Sequence, residues 1–185
     1  TNYAEYLKKY EDEAEAFKKH YKLQGSGDLN LYKLFLERAY QLASGNVTFL
    51  IPGQITIDNG SIVFRETFLK DQSIYRIIGL INRKGLFENV HLEQRFVLLF
   101  LDKKSKHDTI ETYGWSYYFK NFNNSQLLKL DRKFFEGFDD NKTYYLDTNK
   151  LNYAIFEKIK TATVSIRLSD LDYHFWTEYH VTNDA

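Results

Sequence analysis

Apolar and polar residues alternate along this chain with two different periods, and these periods predict where helices and strands lie. Residues 3–21 place Tyr, Leu, Ala and Phe at intervals of three and four among Glu and Lys, which predicts a helix with one aromatic face. Further helices are predicted by the same spacing within 30–45, 62–69 and 151–159. Runs of β-branched and aromatic residues predict strands over 47–51, 74–81, 95–101 and 109–119.

The stretch 30–52 combines a helix, a short turn and a strand, which is half of an α/β unit. Leu31, Leu34, Phe35 and Leu42 give the helix a broad apolar face. The strand that follows is almost continuously apolar, which predicts that both of its faces are covered in a parallel sheet. In open α/β sheets ligands bind outside the carboxyl ends of strands, so the end of this strand is a candidate binding position.

Composition and charge narrow the class of protein. With 185 residues, of which 43% are hydrophobic and 27% charged, the chain has the size and balance of one globular domain. Lys plus Arg equals Asp plus Glu, so the chain lacks the basic charge of a protein that grips DNA along its whole length. No apolar run is long enough to span a membrane and no signal peptide is recognisable, so we expect a cytoplasmic protein.

Two other features of the composition bear on chemistry and on chain integrity. Cysteine is absent, which excludes disulfides and thiolate metal sites. His174, Glu178 and His180 lie close together, but a metal site needs three or four convergent ligands and nothing else supports one, so no metal site is predicted. Methionine is also absent, even at position 1, which we expect of a piece excised from a longer protein.

The predicted strand 109–119 carries Trp115, Tyr117 and Tyr118. Aromatic strands stack nucleic acid bases in some proteins. They are more often ordinary packed strands, because aromatic side chains fit a pleated surface. We therefore favour packing over base stacking for this strand.

Several motifs, taken in their order along the chain, resemble adenine-specific DNA methyltransferases, above all the fused restriction-modification enzymes called type IIG. These enzymes have an Asp/Asn-Leu-Tyr motif on a helix, a strand ending in Pro, a helix with Arg, a loop with Phe and a further strand. The matching segments here are Asn30-Leu31-Tyr32, Phe49-Leu50-Ile51-Pro52, residues 65–69, residues 85–90 and residues 95–99. The tail 178–184 resembles the junction that precedes the target-recognition domain.

The resemblance implies an α/β fold. Residues 1–102 would be the C-terminal half of a Rossmann-like methyltransferase sheet with flanking helices. Residues 103–185 would form a small α+β extension leading to an absent target-recognition domain. The parent enzyme would transfer a methyl group from S-adenosylmethionine to the exocyclic amine of an adenine flipped out of double-stranded DNA. Whether that parent also carries a nuclease stays open, since no nuclease cluster is recognisable here.

The resemblance also implies site residues. Phe87 matches the Phe that stacks on the flipped adenine, although the ring of a loop Phe is also often simply buried. Asn30, Tyr32 and Pro52 would border the methyl-donor pocket. Pro52 is the single proline, so the catalytic Asn-Pro-Pro-Tyr/Phe loop is absent and the chain holds no catalytic residue. We therefore expect that this chain alone neither methylates DNA nor binds S-adenosylmethionine tightly, because the N-terminal half of the methyltransferase is missing.

A rival hypothesis is a self-contained, non-catalytic α/β protein-interaction module in which every one of these aromatic residues is core. It predicts a compact monomer that unfolds cooperatively. Half of a methyltransferase sheet should instead expose an apolar edge and associate.

Overall fold

Helices and strands follow one another largely as the hydrophobic pattern predicts. The computed structural model describes residues 3–24, 29–117, 122–123, 126–138 and 141–162. The α-helices are α1 (Tyr3–His20), α2 (Leu31–Leu42), α3 (Ile62–Lys70), α4 (Arg132–Glu136) and α5 (Lys150–Ala162). The strands are β1 (Asn46–Pro52), β2 (Ile74–Ile81), β3 (Arg95–Asp102), β4 (Thr109–Ser116) and β5 (Leu128–Asp131). The fold is thus α/β, as predicted, and is compatible with a methyltransferase fragment.

The five strands form one mixed sheet in the order β1-β3-β2-β4-β5. Both β1 and β2 pair antiparallel with β3, so they run in the same direction on either side of it. β4 pairs parallel with β2, and β5 pairs antiparallel with β4. The strand register places Pro52 and Leu80 on opposite sides of Phe96. Residues on both sides of position 102 therefore share one sheet, and the division into 1–102 and 103–185 stays a prediction.

The environment predicted for β1 is wrong. We expected a strand covered on both faces in a parallel sheet, but β1 pairs antiparallel with β3 and its residues alternate in exposure. Within the described residues β1 is an edge strand. Continuous apolar sequence does not show whether a strand is central, because an edge strand can also present apolar side chains to a partner that joins it.

The sheet has one fully buried face and one partly exposed face. Along β3, Val97, Leu99 and Leu101 are buried almost completely, whereas the alternate residues Phe96 and Leu98 keep part of their surface exposed. Side chains of a strand alternate between faces, so these two sets mark the two sides of the sheet. On β2, by contrast, side chains of both faces are buried, since Ile77 is 0% exposed and Ile78, on the other face, is 2% exposed. The first compact unit, residues 1–150, therefore buries apolar side chains on both sides of its sheet.

The apolar face predicted for α2 divides in the structure. Leu34 is buried, but Leu31, Phe35 and Leu42 are exposed. Two charged residues, Lys33 and Glu37, are buried in their place. Their partners account for this burial, because the Lys33 ammonium lies 2.9 Å from the carboxylate of Asp58 and the Glu37 carboxylate accepts hydrogen bonds from the backbone N–H groups of Lys22 and Leu23 at 2.7 and 2.8 Å.

The second compact unit comprises residues 151–185, of which the structure describes the part of α5 up to residue 162. The tail motif 178–184 and the residues His174 and His180 lie outside the described residues. Among the helices that the structure describes, none is long and apolar enough to cross a membrane.

Candidate functional site

Three strands end at the same edge of the sheet, which we call the carboxyl edge. β1, β2 and β4 run in the same direction, so Pro52, Ile81 and Ser116 all lie there. The connection from β2 to β3, residues 82–94, begins at this edge and returns to it. Ligands of α/β proteins bind at such edges, which makes this the candidate functional site.

A buried asparagine holds the connection between β2 and β3. Asn82 is fully buried, and its Oδ1 accepts a hydrogen bond from the Phe87 N–H at 2.8 Å. Its Nδ2 donates to the carbonyl oxygens of Phe87 and Val90 at 3.1 and 2.9 Å. Gly85 makes the turn between these partners in the left-handed conformation, with φ of 65°, which glycine adopts without strain. One side chain thus fixes the backbone of the loop that carries Phe87.

Phe87 lies against the sheet at the carboxyl edge. Its ring packs edge-on against the ring of Phe96, with the ring centroids 4.9 Å apart, and the residue stays partly exposed. Phe96 pairs in register with Pro52, so the structure brings two of the four predicted site residues to neighbouring positions. The contact with Phe96 occupies part of the ring surface and leaves the adenine-stacking role a prediction.

The other two predicted residues, Asn30 and Tyr32, lie at the start of α2. Asn30 is exposed and its side chain makes no capping hydrogen bond. Burial raises the pKa of the Tyr32 hydroxyl above its ordinary value, a hydrogen bond with Ser61 opposes that shift, and the negative charge of Asp58 adds to it. Tyr32 is therefore a neutral hydroxyl group beside the turn that follows β1.

Asp58 organises that turn. It accepts hydrogen bonds from the Gly60 N–H and the Ser61 hydroxyl, both at 3.1 Å, in addition to its ion pair with Lys33. Burial raises the pKa of this carboxyl group, but these donors outweigh burial and hold the pKa below its ordinary value. The surroundings of Tyr32 are fixed by this cluster, whereas those of Phe87 are fixed by Asn82 and Phe96.

Arg65 supports the same turn from α3, and sequence reasoning missed its role. The side chain is fully buried and donates to the carbonyl oxygens of Ile55 and Asp58 at 2.8 and 2.9 Å. It also donates to the carbonyl oxygen of Asn141 through Nη2 at 2.8 Å. In the sequence Arg65 has the appearance of an ordinary polar residue of a helix, and only its place in the methyltransferase-like order marks it.

Two arginine-aromatic pairs lie at the carboxyl edge. The guanidinium of Arg95 is 5.1 Å from the ring centre of Trp115, and that of Arg83 is 5.4 Å from the ring centre of Tyr117. A Cβ atom added at Gly53 or Gly79 would lie 2.9 Å from the Trp115 ring, so both glycines are needed for the indole to pack. Trp115 thus packs against two glycine positions, and the preference for packing over base stacking along this strand stays a prediction.

One cavity of the described structure lies apart from the residues predicted to border the methyl-donor pocket. A cavity of about 230 Å³ in the described structure lies between α1 and α2, and Leu31 and Leu34 contribute to its lining. Asn30, Tyr32 and Pro52 are not part of that lining. Within the described residues no group of three or more His, Cys, Asp or Glu could hold a metal ion.

The fold and the site together define a class of α/β protein. Its sheet carries an ordered loop with an aromatic residue at the carboxyl edge. Within this class, residues 3–87 match the family described as Eco57I restriction-modification methylase. The match covers just under half of the chain and supports a relation to restriction-modification methylases, which implies a parent that uses S-adenosylmethionine and acts on DNA. A comparison with curated proteins finds no match.

The match includes all four predicted site residues, from Asn30 to Phe87, the last residue matched. It includes β1 and β2 but ends before β3. It does not favour the rival hypothesis of a non-catalytic interaction module.

Proposed function

We propose that this chain is the C-terminal half of the methyltransferase core of a bacterial, type IIG-like restriction-modification enzyme. In this proposal the parent acts in the cytoplasm and transfers a methyl group from S-adenosylmethionine to the exocyclic amine of an adenine in DNA. The observation that carries the proposal is the family match over residues 3–87. The neutral net charge of the chain is compatible with it, because a separate target-recognition domain would make most of the DNA contacts.

The proposed contribution of this chain to catalysis is to position the adenine. A base taken out of the duplex loses its stacking and pairing, and an aromatic surface offsets that loss. Phe87 is suited to this role because its loop is held by Asn82 and its ring is braced by Phe96. Asn30, Tyr32 and Pro52 would border the methyl-donor pocket, whose remaining walls would come from the N-terminal half.

Phe87→Ala in the intact parent tests the stacking role. We expect the methylation rate at low substrate concentration to fall roughly 5- to 150-fold, because an aromatic-base stack contributes about 1–3 kcal/mol. Phe87→Tyr should keep most of the rate. Leu86→Ala is the matched control, since Leu86 is an exposed apolar neighbour in the same loop. An undiminished rate for Phe87→Ala would show that the ring does not stack on the substrate base.

Two exposed apolar features support the proposal that half of a sheet is missing. Within the described residues no strand pairs with the outer edge of β1, and Leu50 of this strand has 41% of its surface exposed. On α2, Leu31, Phe35 and Leu42 are 71%, 67% and 67% exposed. Their spacing of four and seven residues places them on one side of the helix. We call Leu31, Phe35 and Leu42 the apolar face, and we propose that the N-terminal half of the methyltransferase covers it and continues the sheet at β1.

The outer edge of β1 and the apolar face of α2 indicate which kind of partner would cover them. An edge strand has unpaired backbone donors and acceptors, which another strand satisfies by continuing the sheet. The exposed side of α2 is a second apolar surface that a partner would cover. A strand with an adjoining apolar element is what the other half of a methyltransferase sheet would supply.

The state of association of the chain tests this surface. Without its other half, we expect the wild-type chain to associate as its concentration rises, because the apolar face is exposed. The triple variant Leu31→Gln, Phe35→Gln, Leu42→Gln should sediment as a monomer over the same range. The control variant Ile57→Gln, Val63→Gln, Leu92→Gln changes three exposed apolar residues elsewhere and should associate like the wild type. A wild-type chain that stays monomeric would favour the rival hypothesis.

A further inference from the structure

We infer that Arg95, held on Trp115, binds a phosphate of the DNA strand that carries the target base. This inference rests on the proposed function and adds a second contact at the carboxyl edge. It assigns to this neutral chain one local DNA contact of its own, with the phosphodiester backbone as ligand.

Trp115 gives Arg95 a fixed support. The indole packs over Gly53 at the end of β1 and over Gly79 in β2, and neither position has space for a side chain. The guanidinium of Arg95 lies 5.1 Å from the centre of the indole, while the Arg95 residue itself is exposed. A planar cation held on an aromatic ring keeps its N–H donors at its rim, where they can bind phosphate oxygens.

Arg95 differs from two neighbouring arginines in having no ion-pair partner among the described residues. Arg76 and Arg83 pair with Glu111 and Glu93 at 2.7 and 2.9 Å. For Arg95, by contrast, no carboxylate in the described part of the chain lies within ion-pair distance. An exposed contact between a cation and a ring contributes only about 0.5–1 kcal/mol, so fold stability is a weak reason for this arrangement.

The position of Arg95 relates it to Phe87. Arg95 is the first residue of β3, and the ring of the next residue, Phe96, packs against the ring of Phe87. Consecutive side chains of a strand point to opposite faces, so Arg95 and Phe87 lie on the two sides of one sheet edge. A nucleotide that straddles this edge would place its base at Phe87 and its phosphate at Arg95.

The experiment measures binding of a short, fluorescently labelled single-stranded oligodeoxynucleotide to the whole 185-residue chain by anisotropy, between about 50 and 200 mM salt. For Arg95→Ala we expect roughly three- to tenfold weaker binding and a salt dependence of log K that is lower by about 0.7–1. Arg95→Lys should keep the salt dependence. Arg38→Ala, which removes an exposed arginine from α2, is the matched control and should change neither quantity.

Three outcomes would overturn the inference. The first is that Arg95→Ala binds like the wild type, and the second is that the wild type does not bind up to about 1 mM chain. The third is that inorganic phosphate displaces the oligonucleotide at an equal phosphate concentration, which would make the ligand a free anion. The outcome of the methylation assay with Phe87→Ala is independent of all three results. Full methylation by that variant would contradict the adenine pocket and leave the phosphate contact standing.

Discussion

Arg65→Met is expected to lower the free energy of unfolding of this chain by about 3–5 kcal/mol. The substitution nearly preserves the length of the side chain but removes every N–H group that binds the carbonyl oxygens of Ile55, Asp58 and Asn141. The carbonyl oxygen of Asp58 would keep its hydrogen bond from the Ser61 N–H at 3.0 Å, whereas those of Ile55 and Asn141 would lose the Arg65 donor. Hydrogen bonds from a charged group are worth more than neutral ones. The turn after β1 and the segment at Asn141 would lose their shared anchor.

Urea unfolding followed by circular dichroism measures this effect. The matched control is Arg38→Met, which changes an exposed arginine of α2 and should alter the free energy of unfolding by less than about 0.5 kcal/mol. Arg65→Lys should be intermediate, since one ammonium group cannot reach three carbonyl oxygens with the geometry of a guanidinium. Equal midpoints for Arg65→Met and the wild type would mean that the buried hydrogen bonds do not hold this turn.

Asn82→Ala is expected to cost about 2–4 kcal/mol and to release the loop between β2 and β3. The change leaves the Phe87 N–H without its acceptor and the carbonyl oxygens of Phe87 and Val90 without their donor. The backbone amide of Phe87 should then exchange with solvent at least about fivefold faster, because the lost hydrogen bond is worth at least about 1 kcal/mol.

Hydrogen exchange at Phe87, together with urea unfolding, tests the role of Asn82. Asn82→Asp keeps an acceptor for the Phe87 N–H but cannot donate to the two carbonyl oxygens, so it should destabilise the chain as well. Asn46→Ala, at an exposed position at the start of β1, is the control and should leave both measurements unchanged. Unaltered exchange at Phe87 in Asn82→Ala would show that the loop is held by other contacts.

Local sequence patterns were sufficient to predict most helices and strands. The predicted strand 74–81 coincides with β2, and the predictions for β1, β3, α1 and α3 differ from the structure by one or two residues. The helices have a clear period of 3.6, and the strands are short runs rich in β-branched and aromatic residues that end at polar residues, glycine or proline. β5 and α4 were not predicted, because four- and five-residue elements are too short to show a period.

The arrangement of the strands could not be predicted from local patterns. Nothing in residues 47–51 indicates that their neighbour is the antiparallel β3, since that pairing joins residues about fifty positions apart. The burial of three charged residues could not be predicted either, because their partners are distant in the sequence. These residues are Lys33, Glu37 and Arg65. Charged residues indicate a surface until such partners are known. The order of motifs led to Phe87 and Pro52, but not to Asn82 or Arg95.

The place of β3 in the sheet has a consequence for the order in which the chain can fold during synthesis. β3 lies between β1 and β2 but is made after both of them. Until Arg95–Asp102 leaves the ribosome, neither of the earlier strands has its native antiparallel neighbour. Two apolar strands with unpaired edges are a substrate for chaperones and a hazard for aggregation. Once β3 is available, it pairs with β1 and β2 at the same time. We therefore expect these three strands to assemble in a single step that waits for the synthesis of β3.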